Sequence, residues 1–392
     1  MPSRSTSKRP SLPVASFLIV LLATAILADV AGAWGNGWSI AAITGRPAEA
    51  PSPSVIGIVA VGDIMMGTAW PEGMLPPDDG RDLFRRTARA LRDRDVVFGN
   101  LEGPLLDNGV ANKCDKAPNP KLCFAFRTPT RYGRYLKDAG FNALNIANNH
   151  AFDFGREGID NTVAVLSGLG IQPVGGDHVA RIDVGGKRVA ILGFSYSHSS
   201  PYSASILNIA AAEARIRKAV SENDLVLVSF HGGAEGKDAL HLTGEMEMFA
   251  GEKRGDVERF AHAAIDAGAA AVLGHGPHVP RAIEIYRGKL IAYSLGNFLG
   301  FGRFNLKGAS GLGYALRADL DPETGNFLSG RIMPMTLSGR GIPLPDPAGR
   351  ATRLIRRLSA KDLPTTGAVI RDDGTLCPLP QNVAKAPAAS IR

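Results

Sequence analysis

The sequence contains little cysteine, with three residues in a chain of 392. Cys114 and Cys123 lie nine positions apart in a segment rich in Pro, Asn and Lys, and Cys377 stands alone near the end of the chain. A structural zinc site built on thiolates needs further ligands at short spacing, and no second cysteine pair is present. The sequence therefore predicts a disulfide between Cys114 and Cys123, formed in an oxidising compartment.

The body of the chain lacks an excess of charge of either sign. The net charge is +7, of which residues 1–33 contribute +2 (three basic, one acidic) and residues 340–392 contribute +5 (nine basic, four acidic). A nucleic-acid-binding surface requires a concentrated basic patch, so no nucleic-acid partner is predicted. The basic, Pro- and Arg-rich segment 340–392 is predicted as a solvated tail, with contact to an anionic polymer or a membrane as the alternative.

The N-terminal apolar stretch is too short for an ordinary membrane span. Val14 to Leu27 is almost entirely apolar, whereas a spanning helix needs roughly 20 such residues. A basic start precedes this stretch, and the small residues Ala31-Gly32-Ala33 follow it. This pattern predicts a cleaved signal peptide at residues 1–33, with an uncleaved anchor as the alternative. Either outcome predicts an exported protein, periplasmic or associated with the cell envelope.

The pattern of apolar residues predicts one layered α/β domain. After a linker at residues 34–54, short apolar strands alternate with amphipathic segments, and β structure dominates from Ala282 onward. We find no internal repeats. The domain is predicted over residues 55–339, as sheets flanked by helices. Helices are predicted over residues 81–94, 131–139, 157–169, 206–220 and 257–267, with one further helix over 351–358.

Five predicted strands run directly into polar residues. In open α/β sheets, ligands bind beyond the carboxyl ends of strands, so these side chains are expected at one edge. Each of them taken alone is more often an ordinary turn residue, but four of the eight histidines fall in these segments. The expected edge set is Asp63, Glu102, Asn149, His150, His231, His275 and His278.

The chemistry of this set points to a metal centre. Carboxylates, an amide and imidazoles are the ligand mix of Mn, Fe or Zn hydrolytic centres, and thiolates are absent from it. Two metals would need a carboxylate that bridges them, a role open to Asp63 or Glu102. A metal would also lower the pKa of a bound water molecule.

With these motifs in view, the chain resembles the CapA family of poly-gamma-glutamate capsule biosynthesis proteins. The resemblance covers roughly residues 55 to 300. It implies a calcineurin-like, metallophosphatase-type layered sandwich of two sheets flanked by helices. The segments that carry it, in the family's order, are VGDIMMG, GNLEGPL, ANNHAFDFG, SFHGGAE and GHGPHVPRAIEIYRGKLIAYSLGNF.

The resemblance also implies roles for individual residues. His150 would steady the transition state or protonate the leaving group, and Asp153 would orient it. Asn100, Glu235, Asn297 and Arg303 are predicted as substrate-binding residues. One or two divalent ions (Mn, Fe or Zn) are predicted as cofactor, with the ligands Asp63, Glu102, Asn149, His231, His275 and His278.

Two departures from the phosphoesterase pattern are visible. Position 65 is Met where those enzymes carry the His of an Asp-x-His motif, and His275 and His278 are separated by two residues instead of one. Both departures predict that one metal is missing or weakly bound, with His275 as the weakest ligand. They also count against ordinary phosphatase activity.

Three functions remain as hypotheses. The first is a metal-dependent hydrolase or transferase acting on an anionic envelope polymer such as poly-gamma-glutamate. The second is a non-catalytic accessory protein that binds the polymer or a membrane-bound synthase complex. The third is a periplasmic metallophosphoesterase. The Asn149-His150 pair favours the first, whereas Met65 and the histidine spacing favour the second.

Overall fold

The computed structural model describes residues 54–377, apart from residues 72, 112, 115–122 and 198. The predicted signal peptide at residues 1–33 and nearly all of the predicted linker lie outside this part of the chain. Among the described residues, no helix combines the length and the apolar character that crossing a membrane requires.

The larger sheet has ten strands among the described residues. Its first four strands run parallel, and the strands from the second half of the chain extend it on the other side of β1, mostly antiparallel. In chain order they are β1 (Ile56–Met65), β2 (Val96–Leu101), β3 (Ala143–Asn145), β4 (Gln172–Val174), β14 (Asn297–Gly300), β15 (Leu312–Leu320), β16 (Phe327–Ser338), β17 (Ile342–Pro345), β18 (Val369–Ile370) and β19 (Thr375–Cys377).

The smaller sheet has seven strands in the described chain, and a separate two-stranded hairpin follows its fourth strand. Strands β6, β8, β11 and β13 run parallel at its centre. The members are β5 (Ala180–Val184), β6 (Lys187–Ser195), β7 (Ala204–Ser205), β8 (Leu225–His231), β11 (Ala271–His275), β12 (Ile283–Tyr286) and β13 (Lys289–Ala292), and the hairpin is β9 (Glu247–Phe249) with β10 (Glu252–Gly255).

The two sheets pack face to face, with helices on their outer faces. Alternate residues of β1 point to opposite sides: Ile58 packs with Leu227 of β8 between the sheets, whereas Val59 packs with Leu136 on the helix side. Phe260 belongs to the core on the outer face of the smaller sheet. The predicted layered α/β fold is therefore confirmed. The helices are α1 (Gly133–Ala139), α2 (Gly155–Gly168), α3 (Ile209–Glu222), α4 (Val257–Asp266) and α5 (Arg350–Asp362).

The helix predicted over residues 81–94 is wrong. This segment forms turns and one short 3-10 helix, Ala88–Leu91, and another 3-10 helix, Pro77–Gly80, precedes it. Its apolar residues Leu83, Phe84 and Leu91 are nevertheless buried. A 3-10 turn also brings residues i and i+3 to one face, so the apolar spacing that predicted an α-helix is satisfied without one.

The prediction of a solvated tail from residue 340 is also wrong for the described residues 342–377. Strand β17 pairs with β16, and β19 continues the larger sheet beyond β16. Helix α5 buries Ile355 and Leu358, while Arg353 and Arg357 are exposed. The basic composition belongs to the solvent face of an amphipathic helix, whose apolar face the composition alone did not reveal.

Replacing Ile355 with Ala tests this correction. Ile355 is fully buried in the core between the sheets, so we expect Ile355→Ala to lower the free energy of unfolding by about 2–4 kcal/mol. Arg357→Ala on the exposed face of the same helix should change it by less than about 0.5 kcal/mol. Urea unfolding followed by circular dichroism measures both values. Equal, small effects would mean that α5 is not part of the core.

Candidate metal centre

The carboxyl ends of parallel strands from both sheets meet at one place. Asp63 lies near the end of β1 and Asn100 near the end of β2, while His231 ends β8 in the other sheet. The Asn100 amide nitrogen lies 2.9 Å from Asp63 Oδ1 and 3.3 Å from His231 Nδ1. Gly62 permits the approach of a neighbouring segment, because a Cβ there would lie 1.8 Å from the Gly296 carbonyl oxygen.

Asp63, Glu102 and His231 form a compact group of potential ligands. One ligand atom from each lies within 4.8 Å of the other two, and all three side chains are buried. Two carboxylates and an imidazole at this spacing match the donor set that Mn, Fe and Zn accept. Sequence reasoning had predicted all three as ligands, and the structure brings them together.

Several buried polar atoms around this group have no hydrogen-bond partner among the described residues. They are both carboxylate oxygens of Glu102, Nε2 of His231 and Oδ1 of Asn149. Native structures leave few such atoms unpaired, and each costs about 1–3 kcal/mol when buried. All four are lone-pair donors, or become so in one tautomer, so a cation would satisfy them together. The residues present therefore fit a divalent ion.

His278 lies between the two carboxylates. Its Nδ1 is 3.0 Å from Asp63 Oδ2 and its Nε2 is 3.4 Å from Glu102 Oε1. Burial favours the neutral imidazole, but the Glu102 and Asp63 carboxylates outweigh burial and hold the pKa of His278 well above its usual range. Its backbone has a left-handed φ of 57°, which is uncommon outside glycine and indicates a constrained position.

The two carboxylates differ in their surroundings. For Asp63, burial favours the protonated form, but the hydrogen bond and charge of His278 lower the pKa to about 2. For Glu102, burial is the dominant effect and raises the pKa well above its usual range. Glu102 is thus the carboxylate whose charge the protein leaves least compensated, and a cation beside it would reverse that imbalance.

His150 and Asp153 form a buried pair next to this group. His150 Nδ1 lies 2.8 Å from Asp153 Oδ2, and His150 Nε2 lies 3.8 Å from Glu102 Oε1. Burial lowers the pKa of the His150 imidazole, although the Asp153 carboxylate opposes that effect. With Nδ1–H donated to Asp153, the neutral ring presents Nε2 as an acceptor toward the candidate ligands Asp63, Glu102 and His231, called here the metal-binding group. The geometry matches the predicted orienting role of Asp153.

Asn100 was predicted to bind substrate, and its side chain lies among hydrogen-bond partners within the protein. The side chain is fully buried, and its Oδ1 accepts hydrogen bonds from the amides of Asn145 (2.8 Å) and Asn148 (3.0 Å). Its Nδ2 is directed at Asp63 and His231. Both polar atoms are therefore occupied within the protein. Asn100 therefore helps to hold Asp63 and His231 in place, and its substrate-binding role stays a prediction.

Asn297, also predicted to bind substrate, is enclosed in the same way, and that role stays a prediction. Its Oδ1 accepts a hydrogen bond from His278 Nδ1 at 2.9 Å, and its Nδ2 donates to the carbonyl oxygens of His278 and Ser310. The residue is fully buried. Its amide therefore fixes the orientation of the His278 ring, which explains why a polar residue follows the glycine at the start of β14.

His275, predicted as a ligand, lies outside the group. Its Nε2 is 3.1 Å from the Val61 carbonyl oxygen, and its Nδ1 is 3.4 Å from Ser229 Oγ. Both ring nitrogens thus hold the strands β1, β8 and β11 together. Met65 is also fully buried, and its sulfur accepts a hydrogen bond from the Gly67 amide. The two departures seen in the sequence therefore coincide with side chains turned to structural use.

Glu235 and Arg303 lie nearer the surface. Glu235 is partly exposed, and its carboxylate pairs with Arg254 Nη1 at 2.6 Å, while Arg254 lies 4.1 Å from the centre of the Tyr196 ring. Arg303 is half-buried, and no ion pair or hydrogen bond of its side chain occurs within the described residues. The substrate-binding roles of both residues stay predictions.

Sequence reasoning missed several supporting residues. Lys113 and Phe126 contact His150 and Asp153, yet nothing in their sequence context marks them. Arg281 follows His278 by three positions, and a charged residue before the apolar strand β12 was a signal that could have been read. The structure joins Cys114 and Cys123 in a disulfide.

Comparison with known families gives a direct result. Residues 57–301 match the model of the family described as bacterial capsule synthesis protein PGA_cap. The chain belongs to this family. The match spans the two sheets as far as β14 and includes every residue of the metal-binding group. It leaves β15 to β19 and α5 beyond the family region.

The similar proteins include two from Bacillus. The chain is 29% identical over 263 residues to the PGA biosynthesis protein CapA of Bacillus subtilis, covering 63% of this chain and 64% of that protein. It is 33% identical over 261 residues to the capsule biosynthesis protein CapA of Bacillus anthracis, covering 61% and 58%. The chain thus spans less than two thirds of the length of either protein.

Two further similarities complete the comparison. A Mycobacterium tuberculosis protein named as a probable polyglutamine synthesis accessory protein is 28% identical over 349 residues, covering 74% of this chain and 87% of its own. Among solved structures, a novel phosphatase from Mycoplasma pneumoniae aligns with a TM-score of 0.44 and 15% identity, covering 76% of this chain and 96% of that one.

A buried ion pair anchors the loop that follows His231. Arg281 is fully buried, and two of its nitrogens each lie 2.8 Å from a Glu247 oxygen. Glu247 also accepts a hydrogen bond from the Ala234 amide at 2.7 Å. The pair therefore ties the segment after His278 to the loop after β8, so that both flanks of the metal-binding group are held by one contact.

Removing one partner of this pair should be costly. We expect Arg281→Met to lower the free energy of unfolding by about 3–5 kcal/mol, because the Glu247 charge is left buried and unpaired. The double variant Arg281→Met/Glu247→Met should recover at least half of that loss, since no charge remains uncompensated. Urea unfolding of the single and double variants measures this. A double variant less stable than the single one would show that the pair is not coupled in this way.

Proposed function

We propose that this protein is a metal-dependent hydrolase or transferase that acts on an anionic cell-envelope polymer of the poly-gamma-glutamate class. One observation carries the catalytic part: unpartnered ligand atoms of Glu102, His231 and Asn149 are buried beside the oriented His150–Asp153 pair. A purely structural polar cluster would satisfy these atoms internally. The polymer class rests on family membership and on the names of the relatives.

The proposed cofactor is a single divalent ion, Mn, Fe or Zn. Glu102, His231 and Asn149 would hold it, with Asp63 adding a second carboxylate. A second ion is disfavoured because Met65 offers only a thioether and His275 is hydrogen-bonded to the backbone of β1. Binding of a cation between the carboxylates would favour release of the proton that His278 holds there, because two positive charges beside the same carboxylates repel each other.

The chain's own residues would move the proton. A bound divalent ion supplies a polarised water molecule of lowered pKa. Asp153 fixes His150 with Nδ1–H toward the carboxylate, so Nε2 accepts a proton from the attacking water or polymer amine. The same atom then returns the proton to the leaving amine or alkoxide. Asn100 and Asn297 keep His231 and His278 in their orientations while this occurs.

Location is part of the proposal. The basic start, the short apolar stretch and the small residues before position 34 support export through an N-terminal signal peptide, with the body in the periplasm or at the envelope. An exported protein would meet the polymer outside the cytoplasm. The predicted disulfide partners Cys114 and Cys123 fit the same oxidising location.

The alternative is a non-catalytic accessory protein that binds the polymer or a membrane-bound synthase complex. Met65 and His275 make hydrogen bonds within the protein instead of binding metal, which favours this alternative. A site that has lost some of its metal ligands can remain as a binding site. The name of the Mycobacterium tuberculosis relative, an accessory protein of polyglutamine synthesis, is consistent with it. A periplasmic phosphoesterase is a third candidate, which turnover of a simple phosphodiester would support.

Metal content provides the first test. The purified body should retain one equivalent of Mn, Fe or Zn, measured by elemental mass spectrometry after loading at neutral pH. His231→Ala and Glu102→Gln should each lose the ion, because each removes a ligand atom that the protein does not otherwise pair. His178→Ala is a matched control, since this histidine stacks on Tyr202 away from the group.

Three outcomes would separate the hypotheses. Absence of metal in the wild type after loading would contradict the hydrolase and leave the edge as a binding surface. A bound ion should be followed by assays on poly-gamma-glutamate and on bis(4-nitrophenyl) phosphate. Cleavage of the polymer that His150→Gln abolishes, without loss of the ion, supports the proposed enzyme, and cleavage of the phosphodiester alone supports the phosphoesterase.

A further inference from the structure

The Cys114–Cys123 disulfide lies next to the His150–Asp153 pair. Lys113, the residue before Cys114, donates from Nζ to Asp153 Oδ1 at 2.5 Å and to the Asn149 carbonyl oxygen at 2.9 Å. The same Nζ lies 3.2 Å from His150 Nδ1. The residue next to Cys114 thus places its ammonium group beside the buried Asp153 carboxylate and the backbone carbonyl that precedes His150.

The segment that follows Cys123 makes two further contacts with the pair. Phe126, three residues after Cys123, donates its backbone N–H to Asp153 Oδ2 at 2.7 Å. Its ring stacks on His150, with ring centres 4.3 Å apart and planes inclined by 27°. The carboxylate that orients His150, and the ring of His150 itself, are therefore both contacted from segments that the disulfide joins covalently.

The contacts of Lys113 and Phe126 with Asp153 are favoured when the backbone that carries them is restricted. Asp153 is fully buried, so its charge requires hydrogen-bond donors at both oxygens. The Lys113 side chain is 28% exposed, and a long flexible side chain at the surface loses rotamer freedom when it is held in one place. A crosslink one residue away restricts the backbone of Lys113 and lowers that entropic cost.

We propose that Lys113, the Cys114–Cys123 disulfide and Phe126 form a brace that holds His150 in its position beside the metal-binding group. Lys113 and Phe126 are positioning residues, which act on His150 through Asp153 and through ring stacking. The importance of this brace for chemistry rests on the proposed function, but its existence does not. Neither residue belongs to the candidate ligands, so the brace and metal binding are separable.

The position of the His150 ring can be observed directly. Protein labelled with ¹³C-histidine gives one ring Cε1–H signal per histidine, and His150→Gln identifies the signal of His150. Loss of the stacked Phe126 ring and of the ordered Asp153 should move or broaden this signal. We expect this change in Cys114→Ser/Cys123→Ser and in Lys113→Met. Modification of His150 by diethyl pyrocarbonate, mapped by mass spectrometry, should become several-fold faster in both.

The controls distinguish a local brace from general loosening. Cys377→Ser removes the remaining cysteine and should leave the His150 signal unchanged. Lys113→Arg retains the cation, so its His150 signal should lie close to that of the wild type. The signal and reactivity of His262, on α4, should stay constant in every variant. If the double cysteine variant does not fold, the comparison of Lys113→Met with Lys113→Arg decides alone.

Unchanged His150 signals and modification rates in the cysteine and Lys113→Met variants would overturn the proposal. Equal changes at His262 would also overturn it, since the effect would then be global. Mn²⁺ affinity, measured by calorimetry, should stay close to that of the wild type in Lys113→Met. If the wild type binds none of Mn²⁺, Fe²⁺ and Zn²⁺ while the variants show the His150 changes, the brace is retained and the proposed function is refuted.

Discussion

The hydrogen bonds of the Asn100 amide connect the two sheets at the candidate site. Asn100 belongs to the larger sheet and contacts Asp63 of the same sheet and His231 of the smaller one. Its oxygen is in turn held by Asn145 and Asn148. A fully buried amide with all its contacts defined has one orientation, so it sets the spacing between a carboxylate and an imidazole that no single sheet could fix. The rest of the metal-binding group is built around that spacing.

The site also depends on how its charges are compensated. Burial would neutralise Asp63 and Glu102 if nothing opposed it, and His278 is the cation that keeps Asp63 ionised. Asn297 holds that imidazole in the orientation that faces the carboxylates. Glu102 receives less compensation, which makes it the group that gains most from a bound cation. The negative charge of Glu102 is thus the least compensated at the site, whereas that of Asp63 is compensated by His278.

Much of this arrangement could be predicted from the sequence, for a physical reason. The carboxyl ends of parallel strands meet at one edge, so carboxylates and an imidazole directly after several apolar runs marked Asp63, Glu102 and His231. The same logic failed for His275, because a strand-end histidine that bonds a neighbouring strand has the same local sequence as a ligand. It did not reveal that the amides of Asn100 and Asn297 contact the side chains of Asp63, His231 and His278. Lys113 and Phe126 reach His150 only through tertiary contacts, which no local spacing encodes. Residues 342–377 were misjudged because composition hid the apolar face of α5.

The unpartnered atoms of Glu102, His231 and Asn149 bear on the choice between enzyme and binding protein. Each such atom costs about 1–3 kcal/mol, and a folded protein is stable by only about 5–15 kcal/mol in total. A surface that merely binds a polymer needs accessible donors and acceptors, whereas these atoms are buried, and ligand atoms of Glu102 and His231 lie within 4.8 Å of each other and of Asp63. Met65 and His275 show that the same fold can satisfy such positions internally where no ligand is held. Met65 and His275 are paired within the protein, whereas atoms of Glu102, His231 and Asn149 are not. This difference indicates that the three unpaired residues are placed to hold a cation, with His150 aligned beside them.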